Sequence, residues 1–246
     1  MPKGAHLFVL FFILIICSCS KENRWDCIKR TGVIGNDLRI LPPFTKIYLT
    51  DNVNVFIKQG IEQEVKIEAG KNLISLIKTE VINNELFIKN SNRCNWARSY
   101  KNGHINIYLT MPELKFITHY GSGNIKSLNI IVCDTLEMLT RESGDIELTI
   151  NANIVFSRLH GTSDITLHGK SNLQGIFHMG EGFLHFEDLE TQETWSHSKA
   201  SGNQYLNAKN NLSVRLDWVG NIYYIGNPTI AINDKGKGAG KLIQQN

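Results

Sequence analysis

The sequence predicts an all-β protein, a right-handed parallel β-helix (β-solenoid) with rungs of about 20 residues and a β-rich N-terminal cap region. The first observation is a four-residue phrase that recurs from Ser122 to Ile222. Its second position is Gly or Ser, its third is Asn or Asp, and its fourth is aliphatic. Its third positions are separated by 21, 19, 19, 20 and 18 residues. The second is apolar alternation on both sides of each phrase. The third is twenty glycines against five prolines, which favours short strands joined by tight turns.

Each rung is predicted to contain a short strand before the phrase and another after it. Successive side chains of a strand point to opposite faces, so the aliphatic residue that follows each phrase belongs in the interior. The residues expected to stack there above one another are Ile125, Ile146, Ile165 and Leu184. The residues predicted to face outward include Glu147, Thr166, His185 and Tyr223.

The third positions of the phrases are predicted to form a ladder of side-chain amides and carboxylates at one corner. Its members are Asn124, Asp145, Asp164, Asn203 and Asn221. Turn structure is the main interpretation, because Asn and Asp favour backbone bends. A calcium ion needs about six to eight oxygen ligands, and only two carboxylates are in register here. We therefore expect no metal and no cofactor.

The chain begins with a segment typical of an export signal. Lys3 and His6 precede an apolar run of about ten residues, half the length of a membrane-spanning helix. Ile16-Cys17-Ser18-Cys19 then resembles the lipobox of bacterial lipoproteins. Residues 1–18 are predicted to be a lipoprotein signal peptide, Cys19 the lipidated residue and residues 19–41 a tether. The alternative is an ordinary cleaved signal that releases a free protein.

Export would place the remaining cysteines in an oxidising compartment, where disulfides are more common than metal clusters. Cys27 and Cys94 lie outside the repeat in polar surroundings, and we expect them to pair. Cys133 follows an apolar run and is expected to be a small buried hydrophobe rather than a nucleophile.

Residues 42–228 are predicted to form the solenoid domain, with an N-terminal β-region at 42–115 and repeat rungs at 116–228. In the first part, alternating segments such as 53–57 and 81–88 indicate strands with one solvated face. Residues 72–77 could form a single helical turn, and Asn83-Asn84 suits a tight turn. Residues 229–246, rich in Gly and Lys, are predicted to be a flexible C-terminal tail that follows the end of the array.

Five separated segments of the chain resemble the putative auto-transporter adhesin, head GIN domain family. They are Phe44-Thr45-Lys46-Ile47, Asp51-Asn52-Val53-Asn54-Val55, Gly121-Ser122-Gly123-Asn124-Ile125, Ser143-Gly144-Asp145-Ile146 and the segment from Gly220 to Pro228. The resemblance covers about Phe44 to Pro228. It implies a β-solenoid on exported bacterial proteins, many with lipoprotein signals, and an adhesin-like role. It supplies no catalytic residues. Phe183 departs from the pattern by replacing Asn or Asp.

Other side chains with chemical potential have structural interpretations. His119, His160, His178 and His197 precede their phrases by uneven intervals, and exposed strand positions explain them better than a zinc or copper site. Arg141, Glu142, Asp145, Arg158, Asp164 and Glu181 are candidates for an acid, base and cation in polysaccharide cleavage. The near-uniform repeats, however, leave little length for the loops that would form a cleft. Trp195 could stack on a sugar, whereas Trp218 is expected in the core.

The sequence therefore favours a non-catalytic binding or structural module, lipid-anchored in the cell envelope as an outer-membrane lipoprotein. Its expected partners are the membrane, through the anchor, and glycans or envelope or cell-surface proteins. The alternative is a polysaccharide-active lyase or hydrolase on the same fold. Nucleic acid is excluded as a partner because Lys and Arg do not gather with aromatic residues on a repeating face.

Overall fold

The structure is a computed structural model that describes residues 30–93, 105–232, 236 and 238–245. The N-terminal strands are β1 (Ile34–Arg39), β2 (Lys46–Asp51), β3 (Asn54–Gln59), β4 (Glu64–Gly70), β5 (Ile77–Ile82), β6 (Glu85–Asn90) and β7 (Asn106–Met111). The later strands are β8 (Phe116–Gly121), β9 (Ile125–Ser127), β10 (Ile131–Thr140), β11 (Ile146–Leu159), β12 (Ile165–His178), β13 (Leu184–Ser198), β14 (Gln204–Leu216), β15 (Ile222–Ile225), β16 (Thr229–Ile232) and β17 (Leu242–Gln244). A one-turn helix, α1 (Lys71–Ile74), overlaps the helical turn predicted at 72–77.

The strands of the repeat stack in parallel, which confirms the predicted β-solenoid of about six turns. Strands β10 to β14 pair with one another in chain order, and β8 and β9 form the rung below β10 and β11. Ile125, Ile146, Ile165 and Leu184 occupy one register position in successive rungs, and all four are buried. The period read from the sequence is therefore the rung of the fold.

The N-terminal region continues the same stack, although its sequence does not repeat. Strands β2 and β3 pair in parallel with β8 and β9 and also with β6 and β7. Antiparallel strands then close this end: β4 lies between β7 and β1, and β5 pairs with β6. Strand β1 lies within residues 19–41, so the last part of the segment predicted as a tether is a strand of the folded domain.

The array also extends beyond residue 228, into the segment predicted as a flexible tail. Strand β16 pairs in parallel with β14, and β17 pairs in parallel with β15. Gly240-Lys241-Leu242 repeats the phrase Gly220-Asn221-Ile222, because Leu242 pairs with Ile222. The Gly and Lys content hid this last rung from the sequence analysis.

The core is a continuous cluster of mainly aliphatic side chains that runs through both regions, and it includes Phe44 in the N-terminal region and Ile222 in the repeat. Burial of such side chains is the main stabilising term of a solenoid, since each rung covers the next. Among the described residues, no helix has the length and apolar character needed to cross a membrane.

Candidate functional site

Glycines fix the backbone at the corner that carries the repeated phrase. A Cβ on Gly144, Gly182, Gly202 or Gly220 would collide with the backbone carbonyl oxygen of the equivalent residue one rung below. Ser163 is the exception in this column, and its hydroxyl is buried and donates to Thr140 Oγ1 at 2.9 Å. Rungs therefore approach closely at this corner because the side chains are missing.

The ladder residues next to these glycines bond each rung to the one above. Asn124 Oδ1 accepts the backbone N–H of Asp145 at 3.2 Å, and Asp145 Oδ1 accepts that of Asp164 at 2.9 Å. Asp164 Oδ1 accepts the N–H of Phe183 at 2.7 Å, and Asn203 Oδ1 accepts that of Asn221 at 2.9 Å. We call this series the Asx ladder. It satisfies backbone donors at a bend, which is a structural role.

The Asx ladder is longer than the sequence analysis predicted, and it is interrupted once. Asn54 Oδ1 accepts the N–H of Asn124 at 3.0 Å, and Asn221 Oδ1 accepts the N–H of Lys241 at 2.9 Å. Asn54 lies in the segment Asp51–Val55, whose register against Gly121–Ile125 the sequence could have indicated. Phe183 has no acceptor atom and interrupts the series between Asp164 and Asn203.

Two residues further along the chain, beyond the buried aliphatic position, the outward side chains form a second continuous series. This outward column pairs rung by rung across β7, β3, β9, β11, β12, β13, β14 and β15. Its members are Tyr108, Phe56, Lys126, Glu147, Thr166, His185, Tyr205 and Tyr223. The outward direction predicted for Glu147, Thr166, His185 and Tyr223 is confirmed, since each is only partly buried.

Aromatic rings stack at both ends of the outward column. Phe56 and Tyr108 have ring centroids 5.1 Å apart, and Lys66 Nζ lies 4.8 Å from the centre of the Tyr108 ring. At the other end, His185 stacks on Tyr205 at 5.4 Å and Tyr205 on Tyr223 at 5.2 Å. The rings therefore cover each other's faces and present their edges outward. Charged and hydroxyl groups occupy the rungs between them.

A groove of about 400 Å³ lies between the Asx ladder and the outward column in those middle rungs. Its walls include Asp145 and Asp164 on one side and Lys126, Thr166 and His185 on the other. Within it, Lys126 Nζ and Glu147 Oε1 form an ion pair at 2.7 Å. The groove thus combines free carboxylate oxygens, amide groups, a hydroxyl and imidazole and phenyl rings.

Two of the four histidines lie inside the solenoid, which contradicts the exposed positions expected for them. His119 and His178 belong to one interior column that also contains Thr140, Leu159 and Ser198. Burial lowers the pKa of each imidazole to about 4, and backbone groups nearby offset part of the shift. Both rings are therefore neutral at neutral pH.

Their position had a signal in the sequence. Both precede the third position of their phrase by five residues, an odd number that places them on the inner face when the strand alternates. The ring of His119 occupies the space that a Cβ on Gly144 would fill. His160 and His197 precede their phrases by four and six residues, and both are partly exposed.

A polar network lies beside His178 in the core. Gln204 replaces the aliphatic residue of the interior stack and is fully buried. Its Oε1 accepts the hydroxyl of Ser196 at 2.7 Å, and its amide lies 3.4 Å from His178 Nδ1. These contacts hold the side chains in place and leave none of them open to the surface.

The residues considered for polysaccharide cleavage do not converge on a buried centre. Asp145, Glu142 and Glu181 are exposed at the corner, and Asp164 is partly exposed beside Asp145. The cationic candidates have other partners, because Arg158 pairs with Glu137 at 3.1 Å and Arg141 lies 5.2 Å from the ring of Tyr120. Within the described ranges, no group of three or more His, Cys, Asp or Glu side chains could hold a metal ion.

The remaining predicted positions divide between the described and undescribed parts of the chain. Cys19, Cys27 and Cys94 lie outside the described residues, so their predicted lipidation and pairing stay predictions. Cys133 is half-buried, and burial raises the pKa of its thiol to about 11, so the thiolate needed for nucleophilic attack is scarce at neutral pH. Trp218 is 56% exposed, which contradicts its expected place in the core, and Trp195 is 45% exposed.

Comparison with known proteins links the chain to one family. The model of the family described as putative auto-transporter adhesin, head GIN domain, matches residues 43–228. No curated protein matches the chain.

Solved structures share the fold. A putative adhesin of Bacteroides fragilis is 23% identical with a TM-score of 0.78, covering 87% of this chain and 97% of that one. A putative lipid binding protein of Parabacteroides distasonis is 17% identical with a TM-score of 0.67, covering 87% and 98%. A putative adhesin of the same species is 14% identical with a TM-score of 0.66, covering 87% and 98%. At these identities, the likeness shows the fold alone.

Proposed function

The chain belongs to the putative auto-transporter adhesin, head GIN domain family, and from this premise we propose that it is a non-catalytic module that binds a glycan at the cell envelope. The protein is exported, held on the outer membrane by lipid at Cys19, and presents the groove beside the Asx ladder to its ligand. The family's adhesin-like description and the lipobox-like segment at 16–19 support this proposal.

The groove is the observation that carries the proposal. Carboxylates bind sugar hydroxyls by accepting hydrogen bonds, and Asp145 and Asp164 each keep one oxygen that the Asx ladder does not use. Lys126 and Thr166 offer donors on the opposite wall. An open groove that runs along stacked rungs suits an extended polymer better than a compact metabolite.

The same geometry argues against cleavage as the main activity. Glycoside hydrolysis requires two carboxyl groups on either side of the scissile bond, one of them kept protonated by its environment. Asp145 and Asp164 lie on neighbouring rungs of one wall, and Asp145 is exposed to solvent. The opposite wall offers Glu147, which already pairs with Lys126.

Two substitutions separate ligand binding from the structural role of the ladder. Asp145→Asn together with Asp164→Asn keeps an Oδ1 acceptor for each backbone N–H, as Asn124 and Asn203 already do. The folded structure should therefore persist while two charges leave the groove. We expect this variant to unfold like the parent protein and to lose about tenfold or more in glycan affinity, since hydrogen bonds to charged groups contribute about 1.5–3 kcal/mol.

The measurement is a glycan array with the full chain, followed by titration of the best ligand, with a reducing-sugar assay in parallel. The matched control is Asp134→Asn together with Glu190→Gln, which also removes two negative charges but on the opposite side of the rungs. Equal binding by the parent and the groove variant would contradict the proposed site. Release of reducing ends, or the absence of binding to any glycan on the array, would contradict the proposed activity.

A further inference from the structure

Strand β1 exposes its apolar side chains together with Asn36, and it turns Asp37 and Arg39 inward. Ile34 and Leu38 point to solvent, and Leu38 is 65% exposed. On the other face, Arg39 Nη1 donates to Thr79 Oγ1 at 2.8 Å, Nη2 donates to Ile74 O at 3.3 Å, and Nε pairs with Asp37 at 3.0 Å. These contacts link β1 to β5 across the end of the core. They fix which face of β1 is outside, because a shift of one residue would reverse it.

The exposed apolar side chains of β1 continue into a larger patch. A groove of about 530 Å³ is lined by Leu38, Ile40, Pro43, Ile61 and Pro112, together with neighbouring residues, and Ile61 is 94% exposed. We define the N-terminal apolar corner as these five residues and three that lie beyond Pro112. The three are Leu128, Ile130 and Val132, each more than half exposed.

Hydrogen bonds from one side chain connect the two parts of this corner. Gln59 Nε2 donates to Pro112 O at 2.9 Å and to Val132 O at 2.8 Å, so these two carbonyls lie side by side. Asn129, between Leu128 and Ile130, donates to Gln59 O at 2.9 Å. The two apolar parts are therefore adjacent, and the polar side chains of Gln59 and Asn129 lie between them.

The apolar character stops at the next rung. The surface that continues from Val132 is lined by Asn151, Asn153, Lys170, Asn172 and Glu190, which are polar or charged. Side chains of the later rungs on this side are thus adapted to water, whereas those at the N-terminal end are not. A cluster of exposed large apolar side chains at one end of the molecule marks a contact surface.

The distance from Cys19 to the first described residue limits how far the solenoid can lie from an anchored lipid. Arg30 O accepts Nδ2 of Asn72 at 2.9 Å, beside the start of β1. Ten residues separate it from Cys19, and extended they span about 35 Å at most. Strand β1 itself covers about 20 Å. A lipid at Cys19 can therefore enter the same bilayer that the corner faces, but the tether is too short to hold the solenoid far from it.

We propose that the N-terminal apolar corner rests on the lipid bilayer into which Cys19 is anchored, which goes beyond the proposed function but relies on its anchor. Branched aliphatic side chains enter the boundary between headgroups and acyl chains. Charges beside the corner are paired, since Lys115 pairs with Glu113 at 3.0 Å and Arg39 with Asp37 at 3.0 Å. Apolar burial and not attraction to anionic lipids therefore drives the contact, and added salt leaves it unchanged. The rungs beyond β11 then project away from the membrane.

Site-specific photo-crosslinking in the full, processed chain tests this orientation. Benzoylphenylalanine replaces Ile61 or Ile130 at the corner, or Met179 as a matched control, which is also an exposed apolar residue but lies several rungs away. We expect lipid adducts by mass spectrometry at 61 and 130 and none at 179. Ile40→Asp with Ile61→Asp should reduce the adduct at 130 about tenfold or more, since charge is costly at that depth. Trp218→Asp with Val219→Asp should not.

The crosslinked partner and the mass of the chain test the bilayer contact and the lipid anchor separately. Adducts at 61 and 130 that consist of protein, either a second copy or another chain, would overturn the bilayer contact, as would equal lipid labelling at 179. The intact mass of the same sample reports lipid on Cys19 independently. A chain without that lipid would contradict the proposed anchor, whereas lipid adducts at residue 61 after addition of phosphatidylcholine vesicles would still support the corner.

Discussion

The corner that carries the Asx ladder and the side of each rung opposite to it both contain periodic polar residues, but they use them differently. At the first, a side-chain oxygen accepts a backbone N–H of the next rung. At the second, side chains bond to one another: Asn153 Nδ2 donates to Asp134 Oδ1 at 3.1 Å, and Asn172 Nδ2 donates to Asn153 Oδ1 at 3.0 Å. We call the latter the second polar ladder.

The two sides also differ in regularity. The Asx corner keeps a constant register because glycines allow close contact between rungs. On the opposite side the register shifts between Thr166 and Gly169, and again between Phe186 and Glu190. The variation in phrase spacing from 18 to 21 residues is therefore absorbed there. One side of the rung sets the axis of the solenoid, and the other accommodates insertions.

The largest expected difference between the two sides comes from adding one methyl group to the glycine column. Gly202→Ala places a Cβ against the carbonyl oxygen of Gly182, which has no flexible side chain to move away. We expect a loss of about 3 kcal/mol in the free energy of unfolding, measured by denaturant titration. Ser213→Ala, at a partly buried outward position in β14, serves as the control. If Gly202→Ala changes the free energy of unfolding by less than about 0.5 kcal/mol, as an ordinary surface substitution does, the backbone at this corner can move to accommodate the Cβ, which contradicts the prediction.

Low pH should destabilise the folded protein because of the two buried histidines near the Asx corner. His119 and His178 have pKa values of about 4 in the folded protein, against about 6.5 when unfolded. The unfolded state thus binds protons that the folded state does not bind. The contribution of these two histidines to the free energy of unfolding is therefore constant above pH 6.5 and falls as the pH drops from 6.5 to 4. Each histidine contributes a loss of about 3 kcal/mol over that range.

The measurement is the free energy of unfolding as a function of pH for the parent chain and for His178→Gln. The variant keeps a polar side chain beside Gln204 but removes one titration, so about half of the acid sensitivity attributed to the two histidines should disappear. His168→Gln, at a partly exposed position in β12, is the control. Identical pH curves for all three proteins would contradict the buried, neutral state of His178.

A smaller difference should separate the two ladders. Asp145→Ala with Asp164→Ala removes acceptors from two backbone N–H groups, so we expect a loss of about 1 kcal/mol for each. Asn153→Ala with Asn172→Ala breaks exposed bonds between side chains and should cost less than about 0.5 kcal/mol in total. Thermal unfolding of the two double variants, with Asp145→Asn/Asp164→Asn as the reference, measures the contrast. Equal losses of stability in the two double alanine variants would contradict the proposed difference between the ladders.

The smallest expected effect is a repair of the interruption at Phe183. Phe183→Asn supplies an Oδ1 to the position between Asp164 and Asn203, so the Asx ladder becomes continuous. Phe183 is exposed and its ring lies 6.2 Å from His185, so little packing is lost. We expect a gain of about 0.5 kcal/mol in the free energy of unfolding. A loss of similar size would show that the ring matters more than the bond.

The sequence predicted the Asx corner well because its physical demands act on single positions. A bend without room for a Cβ selects Gly, and a free N–H selects Asn or Asp, so the phrase repeats visibly. Two rungs with an altered phrase were missed. Val53, before Asn54, replaces the Gly or Ser of the phrase, and Lys241 replaces its Asn or Asp.

The opposite side could be predicted only in part, because its residues are not selected by a single local requirement such as room for a Cβ. Asp134, Asn153 and Asn172 recur every 19 residues, a signal as regular as the phrase, but no glycine accompanies them. Strand β1 was missed because its apolar side chains are exposed while Asp37 and Arg39 are partly buried. The orientation of such a strand depends on Arg39 and Thr79, forty residues apart, and no local pattern reports that contact.

Amide hydrogen exchange tests the central claim, that side-chain oxygens of the Asx ladder hold successive rungs together at one corner. In the parent chain, the amides of Asp164 and Phe183 should exchange slowly although they lie at an exposed bend. In Asp145→Ala, the amide of Asp164 should exchange about tenfold faster, while that of Phe183 keeps its protection through Asp164. Fast exchange at both positions in the parent chain would contradict the account.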